Sequence, residues 1–289
     1  ILSTTTLCKD RRSTIRMILI TGHKGFIGSH FKRYVEEEMR EHVVCIDKDD
    51  CWKWLAKFDD WERVTLIIHN GAMSSTVEPN WMKISHYNQD FTAWILYHAM
   101  EHQIPVKYAS SASVYGNQTK RSKKINPLNQ YAISKLIIDY YVQDNLDKFR
   151  YIQGFRYFNV YGTGEEDKLK VDQASPISKF TQQARENGEI KLFEGSDQFL
   201  RDFVCVTDIV NIVMNNDAPS GIYDIGTGTP ISFYEVAKEV AQKEGVKIKM
   251  IPFPDHLKGK YQKYTCADMK WVDYDFITVK EFLETQPKT

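Results

Sequence analysis

The sequence predicts an α/β fold, in which a doubly wound parallel sheet is followed by a smaller C-terminal part. From Met17 onward, short β-branched runs alternate with longer helical stretches, a pattern typical of strands that are joined by crossover helices. Three glycines directly follow the first of these runs. After Tyr161 the alternation becomes irregular, so we expect most of the main sheet to precede that residue.

The hydrophobic pattern places the elements in chain order. Short apolar runs bounded by Gly, Asn or Asp predict strands, and longer stretches with helical periodicity predict helices. The predicted strands are 17–21, 42–47, 64–69, 105–110 and 151–155, and the predicted helices are 26–39, 86–103 and 129–147. In the C-terminal part the strand-like runs are IKLFEG, FVCVTD and GIYDIG.

Composition excludes several classes of protein. Lys and Arg total 38, as do Asp and Glu, so net charge gives no electrostatic basis for binding nucleic acid or an anionic membrane. No apolar run approaches the about 18 residues of a membrane span. The five cysteines form no CxxC pair and are expected to be thiols in a reducing cytosol. We therefore expect a cytoplasmic protein without a nucleic-acid partner, membrane partner or metal.

The turn after the first strand carries a glycine motif. Gly22, Gly25 and Gly28 let the backbone turn tightly and approach a pyrophosphate at the start of a helix. Their GxxGxxG spacing departs from the commonest fingerprint, and any tight strand-to-helix turn needs one or two glycines. Asp47 ends the second strand about 20 residues further on, where a carboxylate binds the adenosine ribose. Together these features predict a Rossmann-type dinucleotide site.

Tyr131 and Lys135 form the second motif. Residues i and i+4 of a helix share one face, so Lys135 is expected beside Tyr131. A free phenol has a pKa of about 10, and a neighbouring ammonium lowers it toward the range of a useful base. A YxxxK pair alone is usually a surface pair. Here it follows a serine-rich strand end at 110–116, and this order of Ser, Tyr and Lys after a glycine turn favours a catalytic site.

Two further strand ends carry asparagine. Asn70 and Gly71 follow the strand 64–69 and would pass close to the cofactor, although an ordinary turn is the alternative. Asn159 and Val160 follow the strand 151–155; there the asparagine either anchors substrate or caps a turn, and we favour the first interpretation.

With these motifs the chain resembles the extended short-chain dehydrogenases and, among them, the ADP-L-glycero-D-manno-heptose 6-epimerases. The resemblance runs from Met17 almost to the C-terminus. GAMSST (71–76), YASSASVYG (108–116) and GFRYFNVYG (154–162) have relatives across many sugar-nucleotide enzymes. KLFEGSDQFLRDFV (191–204) and IPFPDHLKGKYQ (251–262) are far more particular to the heptose epimerases.

The resemblance implies a mechanism. A tyrosine takes the hydroxyl proton at C6 of the heptose while hydride passes to NADP, and the keto intermediate turns and is reduced on its other face with a lysine as second acid/base. Tyr131 matches that tyrosine, with Lys135 and Ser111 as its catalytic partners. The second lysine is Lys168 when counted from FNVYG, or Lys170 when counted back from Ala174-Ser175, and we favour Lys168.

The resemblance also implies the binding residues. NADP is the expected cofactor, with NAD as the alternative, and a nucleotide sugar is the expected substrate of a homo-oligomer. The cofactor residues are Gly22, Gly25, Phe26, Ile27, Gly28, Asp47, Lys48, Asn70, Gly71, Ala72, Met73, Ser74, Asn88, Tyr131, Lys135 and Val160. The substrate residues are Ser111, Asn159, Lys170, Lys179, Phe193, Glu194, Gly195, Ser196, Arg201 and Tyr261.

These motifs also suggest how the chain divides. We expect residues 17–161 to form the dinucleotide-binding domain and residues 162–289 to be mainly a substrate-binding part, interleaved with the last strands of the sheet. Residues 1–16 are polar and lack periodicity, so we interpret them as a disordered extension before a functional start at Met17.

The chain departs from the family pattern at several places. Only KDDCWKWLAKFDDWER separates Asp47 from the next strand, where the family has a longer segment with an additional strand. Lys48 stands where asparagine is common and could meet a 2′-phosphate, and Lys179 stands where histidine is usual. The helices after Asp268 are also shortened.

Other functions remain open. A 4-epimerase or a reductase acting on another sugar nucleotide is the main enzymatic alternative. A 4,6-dehydratase is less favoured, because that class carries an Asp-Glu pair after its active-site threonine and here Ser111 is followed by Ala112 and Ser113. A non-catalytic NAD(P)-binding sensor usually loses the Tyr or the Lys, and this chain keeps both.

Overall fold

Six parallel strands form the central sheet of the computed structural model, which describes residues 15–71, 73–76, 78–118, 124–170, 173–255 and 262–287. The strands are β1 (Met17–Thr21), β2 (His42–Ile46), β3 (Val64–His69), β4 (Val106–Ser111), β5 (Ile152–Tyr157), β6 (Asn159–Tyr161), β7 (Glu189–Phe193), β8 (Leu200–Arg201), β9 (Phe203–Cys205), β10 (Gly221–Ile225), β11 (Ile231–Ser232) and β12 (Lys247–Ile251). The central sheet has the order β10-β5-β4-β3-β1-β2, and every neighbouring pair is parallel.

Helices cover both faces of this sheet. They are α1 (Phe26–Tyr34), α2 (Cys51–Leu55), α3 (Trp81–Ser85), α4 (Phe91–Glu101), α5 (Gln130–Asp144), α6 (Glu166–Lys170), α7 (Pro176–Asn187), α8 (Val206–Asn215), α9 (Phe233–Glu244) and α10 (Val279–Thr285). Successive strand residues point to opposite faces, so Leu19 joins the core under α4 and α5, whereas Ile20 joins the core under α1 and α8. The predicted doubly wound α/β fold is confirmed.

One predicted helix begins earlier than its apolar periodicity indicates. The helix expected over 86–103 starts at Trp81, passes through one π-helical turn at 86–90, and ends at Glu101. Asn80 caps the start, because its side-chain oxygen accepts a hydrogen bond from the Lys83 N–H at 3.1 Å. The capping residue was therefore the better signal for the start of this helix than the periodicity.

The shortened segment after Asp47 leaves β2 at the edge of the sheet. Residues 47–63 are all described and contain α2 and one 3₁₀ turn, but no strand. Aromatic rings fill the space instead: Trp54 stacks on Phe58 with centroids 4.3 Å apart, and Trp61 stacks on His98 at 4.2 Å. Aromatic side chains bury a large area each, which suits them to closing a core over a shortened backbone.

The C-terminal part is tied to the sheet at its carboxyl edge. β10 pairs with β5 and completes the main sheet, while β6 pairs with β9 directly beyond the end of β5. A separate apolar core holds α7, α9 and α10 against β7 and β9. No helix among the described residues is long and apolar enough to span a bilayer.

The strand order also locates a crevice. The chain runs from β1 outward to β2 and then returns to β3 on the other side of β1. In open α/β sheets, ligands bind outside the carboxyl ends of the strands where the order reverses in this way. The ends of β1 and β3, at Thr21 and His69, are therefore the expected floor of a binding site.

Candidate active site

Two cavities meet over this carboxyl edge. One, of about 390 Å³, extends along the glycine turn toward the end of β2, and the other, of about 300 Å³, lies over the ends of β4 and β5. Asn70, Ser74 and Gln173 line both cavities, which are therefore adjacent parts of one cleft. An extended ligand with one end in each cavity fits this arrangement.

In the glycine turn, main-chain atoms approach each other so closely that there is no room for a side chain at Gly22 or Gly28. A Cβ atom on Gly28 would lie 2.0 Å from the Gly22 carbonyl oxygen. Gly22 itself has a φ of +72°, and a Cβ atom there would lie 2.8 Å from the Gly71 backbone. Gly25 and the first turn of α1 border the cavities, Gly25 lining the first and Ile27 the second. The start of α1 therefore faces the cleft with N–H groups that suit a phosphate.

We expect Gly28→Ala to destabilise the protein toward the upper end of the range of about 1–3 kcal/mol for an overpacked site, and to weaken dinucleotide binding. The new methyl group meets backbone, which cannot rotate away, so the turn must open. Gly25→Ala is the matched control: its Cβ would lie 3.3 Å from the Gly22 oxygen, and its φ is −76°. Thermal melting and dinucleotide titration compare the two variants. Equal stability of Gly28→Ala and the parent would contradict this expectation.

Asp47 and the charges around it lie at the far end of the first cavity. The Lys24 N–H donates to one Asp47 carboxylate oxygen at 2.9 Å, and the Lys48 N–H donates to the other at 2.8 Å. Lys24, Lys48 and Asp49 also line this cavity. The end of β2 therefore presents charges of both signs where the ribose of a dinucleotide would lie.

Sequence reasoning missed the residues that support the Asn70 loop. The Gly71 N–H donates to the Thr21 hydroxyl at 3.0 Å, and that hydroxyl lies 2.7 Å from His69 Nδ1. His69 Nε2 lies 2.9 Å from the Thr92 hydroxyl. Burial lowers the pKa of His69 to about 3, so the ring is neutral, and one ring nitrogen donates while the other accepts between the two threonine hydroxyls. The only signal was a polar residue at the end of each of two buried strands.

The side-chain amide of Asn70 offers a hydrogen-bond donor to a ligand. Its side-chain Nδ2 is buried and has no hydrogen-bond partner among the residues that the structure describes. Unsatisfied buried donors are costly, so a partner from outside the chain is expected. Asn70 lines both cavities. Together with the glycine turn, this donor makes the cleft fit a dinucleotide cofactor.

Asn88 supports the part of this loop that contains Met73 and Ser74. Asn88 is buried, and its side chain accepts from the Met73 N–H at 2.7 Å and donates to the Met73 carbonyl at 3.0 Å. Asn88 also donates to the Ser134 hydroxyl at 3.0 Å, which attaches the loop to α5. The structure thus places Met73 and Ser74 in the cleft and Asn88 beneath them, while Ala72 lies outside the described residues.

Ser111, Tyr131 and Lys135 line the second cavity together. The Ser111 side chain hydrogen-bonds the Tyr131 phenol, and this bond lowers the phenol pKa, but burial raises it by more. Lys135 donates to the Ala109 carbonyl at 2.7 Å, and burial lowers its pKa to about 8. The sequence argument expected Lys135 to lower the pKa of Tyr131. In this structure the net direction is upward, because desolvation outweighs the hydrogen bond.

A buried carboxylate lies one turn beyond Lys135. Asp139 accepts hydrogen bonds from Ser110 at 3.0 Å and from Arg156 at 2.8 Å. Its charge raises the pKa of Lys135 and opposes the effect of burial. The ion pair between Asp139 and Arg156 also joins α5 to β5, so it fixes the helix that carries Tyr131 against the sheet.

Lys168 lines the same cavity as Tyr131 and Lys135 of α5. Its Nζ is 4.5 Å from the centroid of the Phe26 ring, and Lys168 lines the second cavity together with Tyr131. Burial lowers the pKa of Lys168, and the charge of Glu165 raises it in opposition. Lys170 ends α6, and its side chain lies outside what the structure describes.

The predicted substrate residues fall into two groups. Ser111 and Asn159 line the second cavity, as does Val160 from the cofactor set. Arg201 is buried elsewhere in the C-terminal part, where it lies 5.4 Å from the Phe233 ring and donates to the Leu200 and Gln262 carbonyls. The residues that do not line this cavity are Lys179, Phe193, Glu194, Gly195, Ser196 and Arg201. Tyr261 lies outside the described residues.

The loop before α7 also contributes residues that sequence reasoning missed. Gln173 lines both cavities, and Ser175 and Pro176 line the second. Ser175 caps α7 by accepting from the Ser178 N–H at 3.2 Å, so the Ser-Pro pair was a readable helix start. Gln173 had no comparable signal.

Comparison with known proteins identifies relatives of this chain. Residues 18–226 match the model of the NAD dependent epimerase/dehydratase family. The chain is 35% identical to the ADP-L-glycero-D-manno-heptose-6-epimerase of Alkalilimnicola ehrlichii, over 88% of this chain and 89% of that protein. The resemblance predicted from the sequence is therefore confirmed.

Solved structures agree with this result. The ADP-L-glycero-D-manno-heptose-6-epimerase of Helicobacter pylori superposes with a TM-score of 0.79 at 25% identity, over 94% of this chain and 96% of that chain. The UDP-glucose 4-epimerase of Thermotoga maritima superposes with a TM-score of 0.78 at 19% identity, over 93% and 96% of the two chains. The second likeness concerns the fold alone.

Proposed function

The chain belongs to the NAD dependent epimerase/dehydratase family, and from that premise we propose that it converts ADP-D-glycero-D-manno-heptose to ADP-L-glycero-D-manno-heptose. More broadly, it is a sugar-nucleotide epimerase that uses a nicotinamide cofactor. In this proposal residues 17–161 hold the cofactor, and residues 162–289 mainly hold the substrate. Such an enzyme oxidises one carbon of the sugar transiently and reduces it again from the opposite face.

One observation carries the proposal. Tyr131 and Lys168 approach the same cavity from different elements, Tyr131 from α5 and Lys168 from the segment after β6. A reductase or dehydrogenase needs one proton-transferring group beside the nicotinamide. An epimerase gains from a second group, because the oxygen of the keto intermediate changes position when the intermediate turns.

The residues divide the proton chemistry between them. A nicotinamide supplies hydride transfer when it is bound. The Tyr131 oxygen takes the C6 hydroxyl proton as C6 loses its hydride, and Ser111 hydrogen-bonds that phenol. After the ketone turns, the Lys168 ammonium gives a proton to the oxygen as the hydride returns to C6. Lys135 lies one turn from Tyr131, where its ammonium can also bind the nicotinamide ribose.

A direct assay tests the reaction. Each C6 epimer of the nucleotide heptose is incubated separately with the purified protein, and the products are followed by NMR. We expect both epimers to reach one equilibrium mixture without net change in cofactor oxidation state. Denaturing the protein should release a dinucleotide. Epimerisation at C4, or stoichiometric oxidation of added cofactor, would instead assign a 4-epimerase or a reductase. No reaction and no dinucleotide bound would overturn the proposal.

We propose NADP as the preferred cofactor, on the basis of Lys24 and Lys48 at the ribose end of the first cavity. We expect Lys48→Ala to weaken NADP binding by roughly ten- to a hundredfold and leave NAD binding nearly unchanged, since a hydrogen bond to a charged group contributes about 1.5–3 kcal/mol. Lys53→Ala, also exposed but on α2, is the control. Titration with each dinucleotide measures the ratio. Tighter binding of NAD by the parent would reverse the assignment.

A further inference from the structure

Lys168 lies on a segment whose two ends are joined by one buried carboxylate. The segment leaves β6 at Gly162 and enters α7 after Ser175. Glu165 lies between these points, with 3% of its surface exposed. Its Oε1 accepts from the Gly162 N–H at 3.1 Å, and its Oε2 accepts from the Ser175 N–H at 2.6 Å. The carboxylate therefore closes the segment into a loop, with Lys168 between the two tethered ends.

Two hydroxyl groups also donate to Glu165. Ser175 Oγ donates to Oε1 at 2.8 Å, and Ser178 Oγ donates to the same oxygen at 2.9 Å. A carboxylate accepts all these bonds without a donor of its own, whereas an amide would set its NH₂ group against one of the N–H or O–H groups. The site therefore suits a carboxylate better than the amide of a glutamine.

The same loop is tied to the helix that borders the cofactor cleft. His30 Nε2 lies 2.8 Å from the Thr163 carbonyl oxygen, and Arg33 lies 3.0 Å from His30 Nδ1. Arg33 can only donate, so His30 is neutral, and its Nε2–H donates to Thr163. The Phe26 ring lies beneath the ammonium of Lys168. These contacts set the place of Lys168 relative to α1 and hence to the glycine turn.

The titratable groups around Lys168 come from three elements. Glu165 lies on the same segment as Lys168, the neutral His30 lies on α1, and Tyr131 and Lys135 line the same cavity from α5. Burial disfavours the ammonium, and the charge of Glu165 favours it. Because Lys168 is proposed to act as an acid, a group that keeps it protonated preserves its function.

We propose that Glu165 is the positioning residue of the second acid/base: it closes the loop that carries Lys168 and so holds that ammonium at the cavity that Tyr131 also lines. The inference rests on the proposed role of Lys168 in epimerisation. Glu165 itself is too enclosed by Gly162, Ser175 and Ser178 to touch substrate, so it acts through Lys168.

Glu165→Gln tests this role. We expect kcat to fall by up to about 100-fold, the cost of displacing a catalytic group by about 1 Å, with cofactor affinity unchanged. We also expect the alkaline decline of kcat to move to lower pH, because loss of the carboxylate charge lowers the pKa of Lys168. Glu166→Gln, the exposed neighbour on α6, is the matched control and should keep the parent rate and pH profile.

A double-mutant cycle separates the inference from its premise. If Glu165 acts through Lys168, adding Glu165→Gln to Lys168→Met should cost no further activity. Parent activity in Lys168→Met alone would refute the role of Lys168. If Lys168→Met lowers activity and adding Glu165→Gln lowers it further by the full single-mutant factor, Glu165 does not act through Lys168. That result would refute the role of Glu165 and leave the role of Lys168 standing. If thermal melting shows that Glu165→Gln does not fold, Glu165→Asp replaces it in the double-mutant cycle. Aspartate keeps the charge but has a shorter side chain. A non-additive loss with Lys168→Met supports the role of Glu165, and an additive loss refutes it.

Discussion

Tyr131→Phe should lower turnover by about 10²–10⁴-fold and leave the dinucleotide bound, because proton transfer by a placed side chain contributes an acceleration of that size. The substitution keeps the aromatic ring at this position of α5 and removes only the oxygen that hydrogen-bonds Ser111. In this structure burial raises the phenol pKa, so Tyr131 is protonated at neutral pH. The Lys135 ammonium one helical turn away, and the positive charge of an oxidised nicotinamide when one is bound, would favour its basic state.

Tyr140→Phe is the matched control for this experiment. Tyr140 lies on the same helix with 49% of its surface exposed, so removing its hydroxyl should change neither rate nor stability measurably. Steady-state epimerisation is measured for both variants together with dinucleotide titration. A Tyr131→Phe enzyme that turns over at the parent rate would assign the chemistry to another residue. Loss of the cofactor in that variant would show a binding role instead.

The local features of this site were predictable from the sequence. The strand 17–21 is observed as Met17–Thr21, because its apolar run ends at a glycine that the turn requires. The strand 64–69 is likewise observed as Val64–His69 and ends at the Asn70-Gly71 turn. In both cases the signal and its cause lie within a few residues of each other. Patterns of this range can be interpreted without tertiary structure.

The supports beneath the cofactor loop depend on pairing between distant residues. Thr21 and His69 are 48 positions apart, and His69 and Thr92 are 23 apart. Each looks like an ordinary polar residue in an apolar run, and only sheet formation and the packing of α4 on the sheet bring them together. The same holds for the pKa of Tyr131, since the depth of burial that raises it is a property of the folded chain.

The substrate residues that the resemblance implies lie in two different parts of the structure. Ser111 reaches the cavity because it ends β4, and Asn159 reaches it because it begins β6 just beyond the end of β5. Arg201 lies on β8 in the C-terminal part, and there its guanidinium hydrogen-bonds main-chain carbonyls instead of lining the cavity. The position of such a residue depends on how the C-terminal part packs, which a matching motif does not determine.

Lys168→Met should reduce epimerisation of both C6 epimers by about 10²–10⁴-fold, whereas Lys170→Met should have a much smaller effect. Methionine keeps an unbranched apolar stem against the Phe26 ring and removes the proton that Lys168 donates. Cofactor binding should persist, because the glycine turn and Asn70 are untouched. The two variants are made separately and assayed by NMR from each epimer, across the pH range in which the parent loses activity. If both interconvert the epimers at the parent rate, no lysine of this loop is the second acid/base, and Tyr131 must serve both faces.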